Sequence, residues 1–409
     1  MTSRLVRLTA GGLTIVLAPC LVRAQQSPPP KVVTPAFDFS GVIYGNYQYF
    51  TDSARKTASG GNHPNKFDIE RVYLNFRMPV GDNAGIRVTT DVFNNTNAAT
   101  NGFYPGWTIR LKYALIEYTL AKGAIGAGSN VKIRVGMMPN SFIDYEEGFW
   151  PRWIGTTITD RLAYFPSSDV GLGGILTLPS DMGEIYGQVV NGSGYGSAET
   201  NSFKDFTLRA AFTPFGGRSG IIKTFAVTPW VYLGSNASKF AAGGAGQIGP
   251  VTDALARNRY GAFVGLRDRR LTAGFDFNER KDASETGDNT AASPRAVFDS
   301  TGRAFGAFAI VRPGEWANPA DPKVRSNWGL IGRIDHFTPN TSPSATAYAS
   351  DTPAYNYTVL GAFWEPTPHT SVSLDWQNQS PSGFPEPFPA ALKVTPTQST
   401  VFLHWQASF

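Results

Sequence analysis

The chain has one cysteine, Cys20, few histidines, modest charge and a single long apolar stretch, at its start. Each scarcity excludes something. A lone cysteine rules out an intrachain disulfide framework, and if Cys20 leaves with a cleaved leader the mature chain has no thiol at all. Beyond residue 24 no apolar run approaches the roughly 20 residues that a membrane-spanning helix needs, so a helical membrane protein is excluded. The four histidines, His63, His336, His369 and His404, are scattered without metal-ligand spacing, so neither a metal nor another cofactor is expected. Charged residues make up 16% of the chain, and no segment of helical period carrying Glu, Lys and Leu persists beyond two turns. Without Arg4, Arg7 and Arg23 of the leader, 33 of the 36 basic residues remain against 31 acidic ones. So even a balance gives no reason to expect a nucleic-acid partner.

What is present is β-structure. Aromatics reach 13% and glycines number 43, and from Phe37 onward apolar and polar residues alternate with a period of two. Ahead of this, residues 1–24 read as a secretory signal. Arg4 and Arg7 precede an apolar stretch, and Val22-Arg23-Ala24 fits a cleavage site, whereas Pro19 makes Leu17 to Cys20 a poor lipoprotein box. Residues 25–36, with the run Ser27 to Lys31, form a proline-rich linker.

Sixteen alternating segments can be placed between Phe37 and Phe409, although 14 or 18 also fit the pattern. The connections between them alternate in length. Pro79–Ala84, Pro179–Met182, Asp268–Arg269 and Pro366–Pro368 are short, and between them lie stretches such as Thr51–Lys66, Met138–Ser168 and Gly234–Asn258. Short turns on one side and long loops on the other are the layout of a transmembrane antiparallel β-barrel, the all-β class expected here. Arg312–Ser326 breaks the rule by being long where a short turn belongs.

In segments two to five one face is apolar and the other charged. Ile109, Leu111 and Leu115, for example, oppose Arg110 and Lys112. Mid-strand charges are costly toward lipid, so Arg71, Arg77, Arg87, Arg110, Lys112, Lys132 and Arg134 are expected to line the lumen, with Asp91 among them. Such a stripe serves either as an anion-focusing element or as a set of lumen charges neutralised by neighbours. The long loop 138–168 is too aromatic to lie in water. Folded into the barrel, it is expected to form a constriction that sets Asp144, Glu146, Glu147 and Asp160 opposite the basic wall, with Arg152 and Arg161 as its only bases. An outer lid or a trimer-contact loop is the other reading of the same stretch.

In the last segment Val401, Leu403, Trp405, Ala407 and Phe409 share one face, and Thr400, His404, Gln406 and Ser408 share the other. This segment resembles the closing strand of bacterial outer-membrane barrels, where a terminal Phe is the signal read by the barrel-assembly machinery. Two further stretches, Phe67-Asp68-Ile69-Glu70-Arg71-Val72-Tyr73-Leu74-Asn75-Phe76 and Val131-Lys132-Ile133-Arg134-Val135-Gly136-Met137-Met138-Pro139, resemble porins of the phosphate-selective O and P group. That resemblance implies a sixteen-stranded homotrimeric channel constricted by its third loop. Phosphate specificity does not follow, because it depends on clustered bases in the constriction and this loop is acidic. The expectation is therefore a non-enzymatic porin in the outer membrane of a Gram-negative-type bacterium. It would be surrounded by lipid and would pass small hydrophilic solutes, with a possible anion preference. The alternatives are a barrel enzyme with a His and carboxylate cluster at its rim, for which His336 is the candidate, and a plugged binding or adhesion barrel.

Overall fold

The computed structural model of the protein describes residues 37–95, 106–317, 326–341, 353–383 and 397–409. The expected leader (1–24) and linker (25–36) lie outside the described residues. The rest builds sixteen antiparallel strands, each hydrogen-bonded to its neighbours in sequence, with the last strand returning to the first. They are β1 (Asp38–Phe50), β2 (Asn65–Val80), β3 (Ala84–Asn95), β4 (Gly106–Lys122), β5 (Asn130–Pro139), β6 (Ser168–Thr177), β7 (Gly183–Val190) and β8 (Asp205–Phe212). The second half comprises β9 (Ala226–Ala237), β10 (Ala254–Arg267), β11 (Leu271–Thr286), β12 (Ala296–Val311), β13 (Trp328–Thr338), β14 (Ala354–Thr367), β15 (Thr370–Gly383) and β16 (Gln398–Ser408). Closure leaves no strand edge unpaired, as a sheet in hydrocarbon requires.

The closing seam explains the terminal sequence. β16 pairs with β1 from Thr400 opposite Phe50 to Ser408 opposite Val42, and Phe409 exchanges both backbone hydrogen bonds with Gly41. On the outer face a Cβ built on Gly41 would stand 2.3 Å from the Phe409 ring, and one on Gly45 would stand 2.0 Å from Trp405. The rings therefore lie on bare backbone. Leu403 stands exposed on the same face. Outward aromatics gather near both ends of the strands, Phe39, Tyr118, Phe212, Trp328, Trp364 and Phe409 at the short-turn end and Tyr49, Phe67, Trp107 and Phe206 at the other. This is the pair of girdles expected at two membrane interfaces.

Several boundaries differ from the sequence reading. Ile222 to Thr224 belong to a 3-10 turn, and β9 begins only at Ala226. β10, β11 and β12 rise well beyond the segments read for them, so most of the acidic stretch Asp282 to Asp288 is strand, with Glu285 held by Arg295 at 2.8 Å. The long connection after β12 is an elaborated turn that carries helix Pro313–Ala317, and the strand count stays at sixteen. Gly171 sits where strands approach closely, since a Cβ there would meet the Val189 carbonyl at 2.0 Å.

Two bulges shift which residues face inward. In β2 the pairing with β1 passes from Arg71 opposite Tyr44 to Ile69 opposite Gly45, so Glu70 is the extra residue. In β4 the pairing with β3 passes from Leu111 opposite Thr90 to Tyr113 opposite Thr89, so Lys112 is the extra one. A bulge sends two consecutive side chains to one face and reverses the alternation beyond it. Leu115, read as lipid-facing, is consequently buried inside the barrel, and Ile116, Tyr118 and Leu120 take the outer face.

Candidate functional site: the lumen between the charged wall and the inner loop

The loop between β5 and β6 occupies the lumen. Its residues Phe142, Ile143, Trp150, Trp153, Ile154, Ile158, Leu162, Tyr164 and Phe165 form one apolar cluster with inward residues of β9, β10, β12, β13 and β14, among them Trp230, Phe263, Phe308, Ile331 and Val359. Two one-turn helices, Ile143–Glu146 and Ile158–Arg161, shape the loop, and Thr157 caps the second. Polar ties from β13 and β15 fasten the loop further. Arg333 donates to the Thr156 carbonyl at 2.6 Å, Arg161 to Asp335 at 2.8 Å, and Gln377 to the Ile154 carbonyl at 2.9 Å.

The opposite arc, β2 to β5, stays accessible. The side chains of Arg71, Arg110, Lys132 and Arg134 are 23–33% exposed, whereas Arg209, Arg259 and Arg333 on the covered arc are only 3–6% exposed. Four bases of the charged wall thus keep contact with solvent.

The seven wall bases are not alike. Arg71 and Arg110 both donate to Oδ2 of the buried Asp91, at 2.8 and 3.0 Å, and Tyr195 from the β7–β8 loop reaches the same oxygen at 3.3 Å. The Arg110 guanidinium also stacks over Phe93 at 3.9 Å and Tyr195 at 4.2 Å. Lys132 and Arg134 divide the two oxygens of Glu117, at 2.8 and 2.7 Å. Lys112 is buried, with its ammonium 3.0 Å from the Tyr73 hydroxyl, which corrects its reading as an open pore-lining base. Arg87 rests over Tyr113 and, among the described residues, donates to the neutral acceptors Thr89 and Asn75, at 3.3 and 3.5 Å. Arg77 stands at the short-turn mouth, 4.0 Å from Asp38, with both groups more than half exposed.

The loop charges also separate. Glu147 meets Arg152 at 3.5 Å, and Arg152 spans to Glu70 on the wall at 2.9 Å. Glu146 does not face the wall. It is buried within the loop's own packing, accepting from Thr159 at 2.9 Å, because the first one-turn helix points it toward the covered arc. Arg161 is likewise drawn to that arc, over Tyr357 and onto Asp335. Asp144 opens on a cavity of about 480 Å³ near the short-turn end, together with Arg267 and Lys223. Asp160 makes no ion pair among the described residues.

Strict alternation missed Glu70, which holds the loop's Arg152, and Glu117, which neutralises Lys132 and Arg134, and for one reason. Glu70 is the extra residue of the β2 bulge, and Glu117 lies across the β4 bulge from Arg110. Two consecutive charges inside a lipid-spanning strand, Glu70-Arg71, were the available signal, since an unbulged strand would send one of them into hydrocarbon.

His336, the candidate for an enzymatic rim, is held by Asn356 at 2.8 Å and Thr338 at 3.2 Å, with no carboxylate partner among the described residues. His404 lies 3.5 Å from Asp375, but the nearby Ser373 hydroxyl donates to Asp375 and not to the ring. No nucleophile is activated by that arrangement.

Among solved structures the chain resembles the outer-membrane channel DcaP of Acinetobacter baumannii, with TM-score 0.59 and 14% identity over 91% of this chain and 97% of that one. The fold is that of the outer-membrane porins. It also resembles an anion-selective porin from Comamonas acidovorans (TM-score 0.58, 8% identity, 92% and 100% covered) and OprB of Pseudomonas putida (0.58, 10%, 91% and 94%). No family model and no curated protein sequence matches the chain.

Proposed function

We propose that the protein is a passive diffusion channel of a Gram-negative-type outer membrane, admitting small hydrophilic solutes with a bias toward anions. It would be exported on a leader removed after Ala24, inserted by the assembly machinery through β16, and assembled as a homotrimer without enzymatic activity. The observation that carries this reading is the lopsided filling of a closed barrel. The inner loop is packed onto β9 to β14, and the wall of β2 to β5 keeps its charges in contact with open space. A plugged barrel has no use for an accessible charged arc. The anion bias rests on Arg71, Arg110, Lys132 and Arg134 outnumbering Asp91 and Glu117, with Glu147 as the loop's counter-charge.

The likeness of β2 and β5 to the phosphate-selective O and P group supports a common wall but not that group's specificity, because the loop contributes carboxylates there. The test is conductance and reversal potential in a salt gradient, using refolded residues 25–409 in a planar bilayer. Steady steps with an anion-selective sign are expected. Silence from protein that has folded sinks the channel reading, and steps without selectivity remove the bias alone.

A further inference from the structure

Of the seven bases on the wall, four are neutralised in pairs by Asp91 and Glu117, and one is buried on Tyr73. The two that remain face one another. Arg77 of β2 and Arg87 of β3 are direct cross-strand partners on the inner face. Like charges directly opposite are destabilising in an antiparallel pair unless something lies between them. Among the described residues no carboxylate hydrogen-bonds to Arg87, which Asp144 of the inner loop attracts only from farther off, and Arg77 has only a long, exposed ion pair with Asp38 at 4.0 Å.

Both arginines line a cavity of about 540 Å³ that opens at the short-turn mouth, where Arg134 supplies a third guanidinium. Its carboxylate Glu117 is already committed to Lys132 and Arg134, and Asp82 sits on the exposed lip of the turn. Guanidinium groups present paired donors that match the oxygens of a carboxylate, sulfate or phosphoryl group.

We propose that the Arg77 and Arg87 rung is a binding step for solutes carrying a divalent oxyanion group, placed at the short-turn mouth and separate from the constriction. The rung holds the anion in transit by bridging two cations that otherwise repel. This rests on the channel reading above, and its occupant is defined by charge and oxygen geometry.

Sulfate is the probe, added in millimolar amounts to single channels in a potassium chloride bath. Transient blockades are expected, with a higher association rate for sulfate added on the short-turn side. Arg87→Gln and Arg77→Gln should each shorten the blockades, and together reduce sulfate affinity tenfold or more. Arg87→Lys, which keeps the charge and loses the fork, should fall between. Conduction by the wild type without sulfate blockades, or blockades unchanged in the double variant, overturns the binding step and leaves the channel intact. Should folded protein not conduct, titration calorimetry of sulfate into the detergent-solubilised barrel decides. Binding lost in the double variant supports the site, and binding absent or unchanged overturns it. Heat-modifiable migration on gels confirms that each variant is folded.

Discussion

At the scale of single residues, the wall works by shared carboxylates. Asp91 holds two guanidiniums on one oxygen, and its other oxygen is buried with no hydrogen-bond partner among the described residues. Asp91→Asn keeps the shape and removes the charge, leaving Arg71 and Arg110 uncompensated. The anion-to-cation permeability ratio, read from reversal potentials, is expected to rise about two- to fivefold, because one charge changes a focused field in a low-dielectric pore. Glu117→Gln should act in the same direction through Lys132 and Arg134. A ratio that does not move in either variant would show that the wall does not filter. The bases themselves were legible in the sequence, because a mid-strand charge has nowhere to go but the lumen. Their partners were not. Glu117 takes the inner face only because Lys112 is an extra residue, and Tyr195 arrives from a loop that no strand count includes.

At the scale of elements, the bulges and the inner loop carry the design. Deleting Lys112 removes the extra residue and joins two flanks that already alternate in phase, so Arg110 and Glu117 keep their inner faces. The folded, heat-modifiable fraction is therefore expected to match that of a Lys112→Ala control. A sharp fall in the deletion alone would mean that the bulge itself is needed to shape the wall. In the loop, Trp150 is 1% exposed, packs edge-on to Phe308 at 5.3 Å and lies under the Arg333 guanidinium. Trp150→Ala removes about 3–5 kcal/mol of packing. The barrel should still form, while single-channel records show larger and noisier conductance as the loop loosens. Element positions were readable from the two-residue period, but the tall upper ends of β10 to β12 were not, because above the membrane their outer faces turn polar and the alternation fades.

At the scale of the whole molecule, closure depends on a short seam. Phe409 and Trp405 cover Gly41 and Gly45, and no larger side chain fits beneath them. Gly45→Ile is expected to displace Trp405 and slow barrel closure, measured as the refolding half-time in vesicles, whereas Gly217→Ala in the β8–β9 turn, where an added Cβ meets nothing, should leave that half-time unchanged. Closure itself was foreseeable, since an alternating final strand needs a partner. The side of the lumen that the loop would choose was not. It depends on which strands place Trp230, Phe263, Phe308 and Val359 inward, and those are spread over more than a hundred residues.

Because the loop's apolar cluster packs on β9 to β14 and meets the charged wall through the Arg152–Glu70 pair, the barrel is built of two materials. From β9 to β14 the sheet is backed by a second layer, like half of a soluble protein enclosed by the membrane. From β2 to β5 it is a single sheet with lipid on one side and an accessible charged face on the other. Rigidity should therefore be unevenly distributed around the circumference. Amide protons on β9 to β14 should exchange slowly as one block, and those on β2 to β5 should exchange earlier. Under tension or denaturant the first rupture should run down the water-backed arc, the same arc along which solutes pass.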